Sequence, residues 1–205
     1  MTKEKYIEDL RDIKSIMDRS SRFISLSGMS GVIAGVFALG AAYFAYQTVY
    51  EGQDYFSYRK AMIDDQTIIT LLSIAVGTLL LSFSAGIYFT QQRAKKHNQK
   101  LWDSQARRLL INLLIPLIAG GTLCLILLFK GFVGLVAPLT LLFYGLALVN
   151  ASKYTLSEIR SLGLLEIALG LIGCQLIGYG LILWAIGFGV LHIIYGIYMH
   201  VKYGS

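Results

Sequence analysis

The fold is decided by residues 160–199, RSLGLLEIALGLIGCQLIGYGLILWAIGFGVLHIIYGIYM. Two apolar runs lie on either side of Gly178-Tyr179-Gly180, and we predict two transmembrane helices joined by a tight turn there. The first run holds one carboxylate, Glu166, and the second holds one imidazole, His192; each is thirteen residues from Tyr179. At a rise of about 1.5 Å per residue, both would lie about 20 Å from the turn, near the middle of the lipid core. An antiparallel pairing would therefore bring the two side chains to the same depth.

The composition of the whole chain supports a membrane protein. Of its 205 residues, 56% are hydrophobic and only 15% are charged, whereas a soluble domain has roughly 25% charged residues. Both cysteines, Cys124 and Cys174, fall within apolar runs, so we expect buried thiols and no disulfide framework. The first 22 residues are charged throughout, so we expect no cleavable signal peptide.

Periodicity divides the chain into an N-terminal helix and a bundle. Residues 1–22 place apolar side chains at helical spacing opposite a charged face, which predicts a cytoplasmic amphipathic helix. Residues 23–202 are predicted to be an all-α bundle of six transmembrane helices. The predicted spans are about 23–46, 67–90, 109–129, 133–149, 160–177 and 181–200.

The positions of the basic residues predict the orientation. Fifteen of the 18 Lys and Arg residues fall in alternate connecting segments and only three in the others. Positive residues accumulate on the cytoplasmic side, so both termini are predicted to be cytoplasmic. The basic loop at residues 91–108 and the net charge of +6 are explained by this topology, and we expect no nucleic-acid partner.

Small residues surround the two ionisable groups. Gly163, Gly170 and Gly173 accompany Glu166 at helical spacing, and similar small residues accompany His192. Small residues allow helices to approach closely within lipid. A lone carboxylate at mid-membrane is costly in its charged form and is expected to find a partner.

Three interpretations of this pair remain open. One is a structural Glu–His hydrogen bond, since buried polar groups are normally paired. The second is a ligand, ion or proton site, which is the usual reason for an intramembrane ionisable residue. The third is a metal centre, for which the sequence offers only Glu166, His192 and Cys174, although metal sites usually have three or more protein ligands. Hydroxyls such as those of Tyr144 and Tyr195 are further candidate partners of the carboxylate.

A second polar candidate lies in the third span. Pro116 removes one helical hydrogen bond and frees the carbonyl group of Asn112, four residues earlier. Asn112 is therefore a candidate ligand-binding residue, although structural kinks of this kind are common in membrane helices.

Two segments resemble small uncharacterised bacterial integral membrane proteins. They are SSRFISLSG at Ser20–Gly28 and LVNASKYTLSEIR at Leu148–Arg160. The resemblance implies a six-helix protein of the bacterial inner membrane, and it implies no activity.

Together these patterns favour binding or translocation of a small molecule, ion or proton at a midplane site. The candidate residues are Glu166, His192, Asn112 and Tyr195, and no catalytic residue, metal ligand set or cofactor is indicated. The alternative is a non-catalytic membrane regulator or scaffold that holds a cytoplasmic partner through the N-terminal helix and basic loop; an enzyme ranks third. Besides the lipid bilayer, the sequence leaves open a second copy of the chain or a cytoplasmic protein as partner.

Overall fold

The structure of the chain is a computed structural model that describes residues 27–50, 65–96, 102 and 104–203. The predicted amphipathic helix at residues 1–22 lies outside these ranges, as do most of the first and second loops. Every regular element in the described ranges is helical, which confirms the all-α prediction for them.

The described residues form six helices. Helix α1 is Gly28–Tyr50, α2 is Asp65–Lys96, α3 is Ser104–Phe129, α4 is Val136–Ala151 and α5 is Glu158–Gln175. Short 3₁₀ turns at Val133–Leu135 and Ser152–Tyr154 flank α4. Helix α6 is Ile177–Tyr203; it starts with a 3₁₀ turn, becomes α-helical at Gly180–Trp184, widens to a π-helix at Ala185–Leu191 and returns to α-helix at His192–Tyr203.

Five of these helices, all except α5, are long and apolar enough to cross a membrane. The chain is therefore a multi-pass membrane protein in its described part. Helix α5 has 18 residues and contains Glu158, Arg160 and Glu166, so its composition alone does not identify a sixth span. Helices α2 and α3 begin before their predicted spans, and α2 also continues beyond its span, because polar residues at a helix end continue the backbone hydrogen bonds past the apolar stretch.

Helices α4 and α5 are in backbone contact along much of their length. A Cβ atom added to Gly163 would lie 2.7 Å from the Gly145 carbonyl oxygen. One added to Gly170 would lie 2.7 Å from the Leu142 amide nitrogen and 2.8 Å from the Pro138 carbonyl oxygen. The small residues that flank Glu166 therefore let α5 lie directly against α4.

Helices α1 and α6 approach each other in the same way. A Cβ on Gly31 would lie 3.3 Å from the Gly196 Cα atom, and one on Gly35 would lie 2.7 Å from the Gly189 carbonyl oxygen. Helix α6 also packs against α4 and α5. It therefore connects the α1–α2 pair to the α3–α4–α5 group.

Helix α2 packs against α1 and presents most of its apolar surface outward. The sequence also predicts close packing at Ser82 and Gly86, but among the described residues nothing beyond the backbone of α2 itself lies within 4 Å of a Cβ placed on Gly86 or on Gly77. These positions lie on a face that the described part of the chain does not cover.

The proline of α3 is accommodated by a neighbouring helix. Pro116 lies inside α3, and the backbone carbonyl of Asn112, four residues earlier, accepts a 2.9 Å hydrogen bond from the Asn150 side-chain amide of α4. The carbonyl group that the proline frees is therefore satisfied.

Candidate functional site

Glu166 is enclosed between α4, α5 and α6. Its side chain is 0% exposed, and neither carboxylate oxygen has a hydrogen-bond partner among the described residues. Because Gly163 and Gly170 hold α5 against α4, the Glu166 side chain is directed toward the π-helical part of α6. A buried carboxylate without hydrogen bonds is costly if it is ionised.

Gly187, in the π-helical segment, makes room for this carboxylate. A Cβ atom on Gly187 would collide with Glu166 Oε2 and would lie 2.5 Å from Leu141 Cδ2. A larger residue would fit there only if the ends of the Glu166 and Leu141 side chains moved. π-Helical turns are rare and occur frequently at functional sites.

His192 follows the π-helical segment and is held at both ring nitrogens. Its Nδ1 atom lies 3.0 Å from the Gly187 carbonyl oxygen, and its Nε2 atom lies 2.8 Å from the Tyr144 hydroxyl of α4. A carbonyl oxygen can only accept, so Nδ1 carries the hydrogen. In the neutral ring Nε2 is then the acceptor, and the Tyr144 hydroxyl donates to it.

The structure brings Glu166 and His192 together. Glu166 Oε1 lies 3.5 Å from His192 Nδ1, although the two residues are 26 positions apart in the chain. This distance is beyond the usual range of an N–H···O hydrogen bond, and the Nδ1 hydrogen is already donated to Gly187. The two groups are therefore in electrostatic contact without a hydrogen bond between them.

An aromatic cluster covers one side of His192. The Phe188 ring stacks on the imidazole at 5.8 Å between centroids and lies 4.9 Å from the Tyr144 ring. Trp184 extends the cluster, 5.0 Å from Phe188. These rings fix the imidazole orientation and exclude water from this side of the site.

In the described part of the chain, the contacts of Asn112 and Tyr195 are with residues other than Glu166 and His192. The Asn112 side chain donates to the Arg108 carbonyl oxygen of its own helix at 2.8 Å. Tyr195 packs against a buried apolar cluster that includes Leu162 and Met199. Tyr144, which the sequence offers only as one hydroxyl among others, is instead the direct partner of His192.

The arrangement does not provide a metal site. In the ranges the structure describes, no three His, Cys, Asp or Glu side chains are grouped closely enough to hold a metal ion. Glu166 and His192 are two groups, and Nδ1 of the histidine faces a carbonyl oxygen as a donor. Two ligands are fewer than metal sites in proteins normally use.

A second polar cluster lies where α5 begins and α6 ends. Glu158 Oε1 accepts hydrogen bonds from Lys202 Nζ at 2.6 Å and from the Tyr203 hydroxyl at 2.9 Å. Partial burial alone would raise the pKa of the Glu158 carboxyl group, but these hydrogen bonds outweigh burial and hold that pKa below its usual value. Arg93 of α2 donates to the Tyr203 carbonyl oxygen at 3.2 Å, so this cluster joins the ends of three helices.

An apolar layer separates the two polar clusters. Glu158 and Glu166 are eight residues apart on α5, which is about 12 Å along a helix. Leu162 lies between them and packs with Ile159 and Met199 in the buried apolar cluster. Apolar side chains of this cluster thus lie between the Glu166 site and this end of the bundle.

Comparison with known proteins found no protein-family model, no curated protein and no solved structure that matches the chain.

Proposed function

We propose that this protein is a multi-pass protein of the bacterial inner membrane that binds and translocates a proton at Glu166, with His192 as its partner. The observation that carries the proposal is the buried Glu166 carboxyl group, which has no hydrogen-bond partner in the part of the chain that the structure describes and lies 3.5 Å from the imidazole. An intramembrane ionisable group of this kind usually serves ion or proton chemistry.

The size of the site favours a proton over a small molecule or a larger ion. Glu166 is fully buried, Leu141 beside it is 0% exposed, and a Cβ atom on Gly187 would already meet both side chains. A hydrated cation or an organic ligand would have to displace these groups. A proton needs no additional volume.

The topology that we propose has six spans with both termini in the cytoplasm. Helix α5 lies in backbone contact with α4, an apolar helix long enough to cross a membrane, so the two helices occupy the same depth. The positive-inside distribution of Lys and Arg supports the orientation. In this orientation the Glu158 cluster faces the cytoplasm.

The proposal is tested by proton flux into liposomes. Purified protein is reconstituted with a pH-sensitive dye inside the vesicles, and a potassium diffusion potential drives protons inward. We expect the wild-type protein to acidify the lumen faster than protein-free vesicles, and Glu166→Gln to abolish the difference. Glu158→Gln is the matched control, a carboxylate on the same helix but outside the site, and should retain flux. Equal flux in wild type and Glu166→Gln would contradict translocation.

The second candidate function is a non-catalytic membrane regulator or scaffold. The apolar layer between the two clusters favours it, because apolar side chains offer no evident path for an ion. The cluster of Arg93, Glu158, Lys202 and Tyr203 would then serve to present a fixed surface to a cytoplasmic partner. Absence of flux together with unchanged folding of Glu166→Gln would favour this function.

A further inference from the structure

We infer that the Nδ1 hydrogen of His192 is switched between two acceptors, the Gly187 carbonyl oxygen when Glu166 is neutral and the Glu166 carboxylate when it is ionised. The inference rests on the proposed function, since it requires Glu166 to gain and lose a proton. It goes further by assigning the response of α6 to that event.

The geometry places both acceptors within reach of one donor. Nδ1 lies 3.0 Å from the Gly187 oxygen and 3.5 Å from Glu166 Oε1. A small rotation of the imidazole would bring Nδ1 closer to Glu166 Oε1 than to the Gly187 oxygen. The Glu166 carboxyl group lies against Gly187 itself, so the two acceptors lie side by side.

The charge of Glu166 decides which acceptor is preferred. A neutral carboxylic acid is a weak competitor for an N–H group, and the carbonyl oxygen retains the hydrogen bond. An ionised carboxylate forms a charge-assisted hydrogen bond that is roughly twice as strong as a neutral one, and no other described residue donates a hydrogen bond to it. The switch therefore follows from deprotonation of Glu166 without any change at Nε2, where Tyr144 remains the donor.

The π-helical segment is the part of the chain that would respond. Residues Ala185–Leu191 form the widened turn, and His192 at its end returns a side-chain hydrogen bond to the carbonyl of Gly187, five residues back. Withdrawing this hydrogen bond removes one contact that holds the widened turn. Helix α1 is in backbone contact with this segment through Gly35 and Gly189, so a change in the turn would be transmitted to α1.

Other ionisable groups do not replace Glu166 in this role. Tyr144 from α4 is the titratable side chain bonded to the imidazole, and α1 has no titratable side chain between Gly28 and Gly40. On α5 and α6 the nearest charged residues are Arg160, Glu158 and Lys202, and the last two are paired with each other at the far side of the apolar layer.

The test is a pH titration by solid-state NMR of the full chain in lipid bilayers, with ¹⁵N-labelled histidine and ¹³C-labelled glutamate. The chain has three histidines, so a His97→Gln, His200→Gln background leaves only the His192 signals. The Glu166 carboxyl carbon is assigned by its loss in Glu166→Gln. We expect a protonated Nδ1 and an unprotonated Nε2, and a shift of the Nδ1 signal with the same midpoint as the Glu166 carboxyl carbon. Glu166→Gln should abolish that shift, and Glu158→Gln should preserve it.

Each contrary result has a distinct meaning. A neutral ring protonated at Nε2 overturns the inference directly. A Glu166 carbon that titrates while Nδ1 stays constant overturns the switch and leaves proton binding intact. A Glu166 that never ionises overturns both the switch and the proposed function.

Discussion

The hydrogen bonds around His192 predict that its energetic coupling is stronger to Tyr144 than to Glu166. The perturbations are His192→Leu, Tyr144→Phe and Glu166→Leu, each alone and in the two pairs that include His192. They are compared at mildly acidic pH, where the arrangement requires Glu166 to be neutral.

The expected loss of unfolding free energy depends on which polar groups lose a hydrogen-bond partner. His192→Leu leaves the partly buried Tyr144 hydroxyl without the acceptor that lies 2.8 Å away. Leaving a buried polar group unpaired costs about 1–3 kcal/mol. The Gly187 carbonyl also loses a donor. Glu166→Leu breaks no hydrogen bond among the described residues and removes a buried polar group that has no partner there, so we expect it to cost less than His192→Leu.

The assay is a pair of double-mutant cycles on the free energy of unfolding in mixed detergent micelles. We expect a coupling within about 0.5–3 kcal/mol for Tyr144 with His192, the range of contacting residues, and a smaller coupling for Glu166 with His192. Glu166→Gln should be milder than His192→Leu. A Glu166–His192 coupling that exceeds the Tyr144–His192 coupling would refute the reasoning, since it would mean that the carboxyl and imidazole groups are directly hydrogen-bonded.

Three further predictions concern packing, pH and topology. Gly170→Leu should lower the melting temperature in detergent, because a side chain there meets the α4 backbone and overpacking costs about 1–3 kcal/mol. Gly77→Leu is the control and should leave the melting temperature unchanged, because among the described residues nothing beyond the backbone of α2 itself lies within 4 Å of a Cβ at that position. Equal effects of the two substitutions would contradict the packing. The folded-state pKa of Glu158 lies below its usual value, so its ionised form stabilises the fold above the unfolded pKa of about 4.3, and this stabilisation is lost as pH falls through the folded pKa. Glu158→Gln should therefore destabilise the protein at neutral pH, with a difference from wild type that shrinks in acid; a difference independent of pH would contradict this. In a cysteine-free background, Lys130→Cys should be labelled from outside intact cells and Lys153→Cys should not, and the opposite pattern would overturn the orientation.

The helical fold and the proximity of Glu166 to His192 could be predicted from the sequence for simple reasons. Long apolar runs report transmembrane helices because the backbone must satisfy its hydrogen bonds internally in lipid. The equal spacing of both residues from Tyr179 sets their depth once the turn is placed there, and the structure has its turn at Ile177–Tyr179. The glycines on α5 predicted close helix contacts, and at Gly163 and Gly170 these contacts are with α4.

The hydrogen-bond pattern of the site could not be predicted from the sequence. The π-helical turn at Ala185–Leu191 has no sequence signature in a run of Gly and apolar residues, and it is this turn that offers the Gly187 carbonyl to His192. The choice of Tyr144 as partner depends on how α4 is rotated relative to α6, which apolar periodicity does not fix in a helix that is hydrophobic on all sides. The sequence indicates that Pro116 frees the Asn112 carbonyl group, but it does not indicate that the Asn150 side chain of a neighbouring helix donates a hydrogen bond to that carbonyl.

The most direct test of the central claim is the protonation of Glu166 itself. Infrared difference spectra of the protein in lipid, recorded across a pH titration, follow the C=O stretch of a protonated carboxylic acid in a non-aqueous environment. We predict a band that disappears as pH rises, is absent in Glu166→Gln and is retained in Glu158→Gln. A spectrum without a titrating band that depends on Glu166 would contradict proton binding at this site.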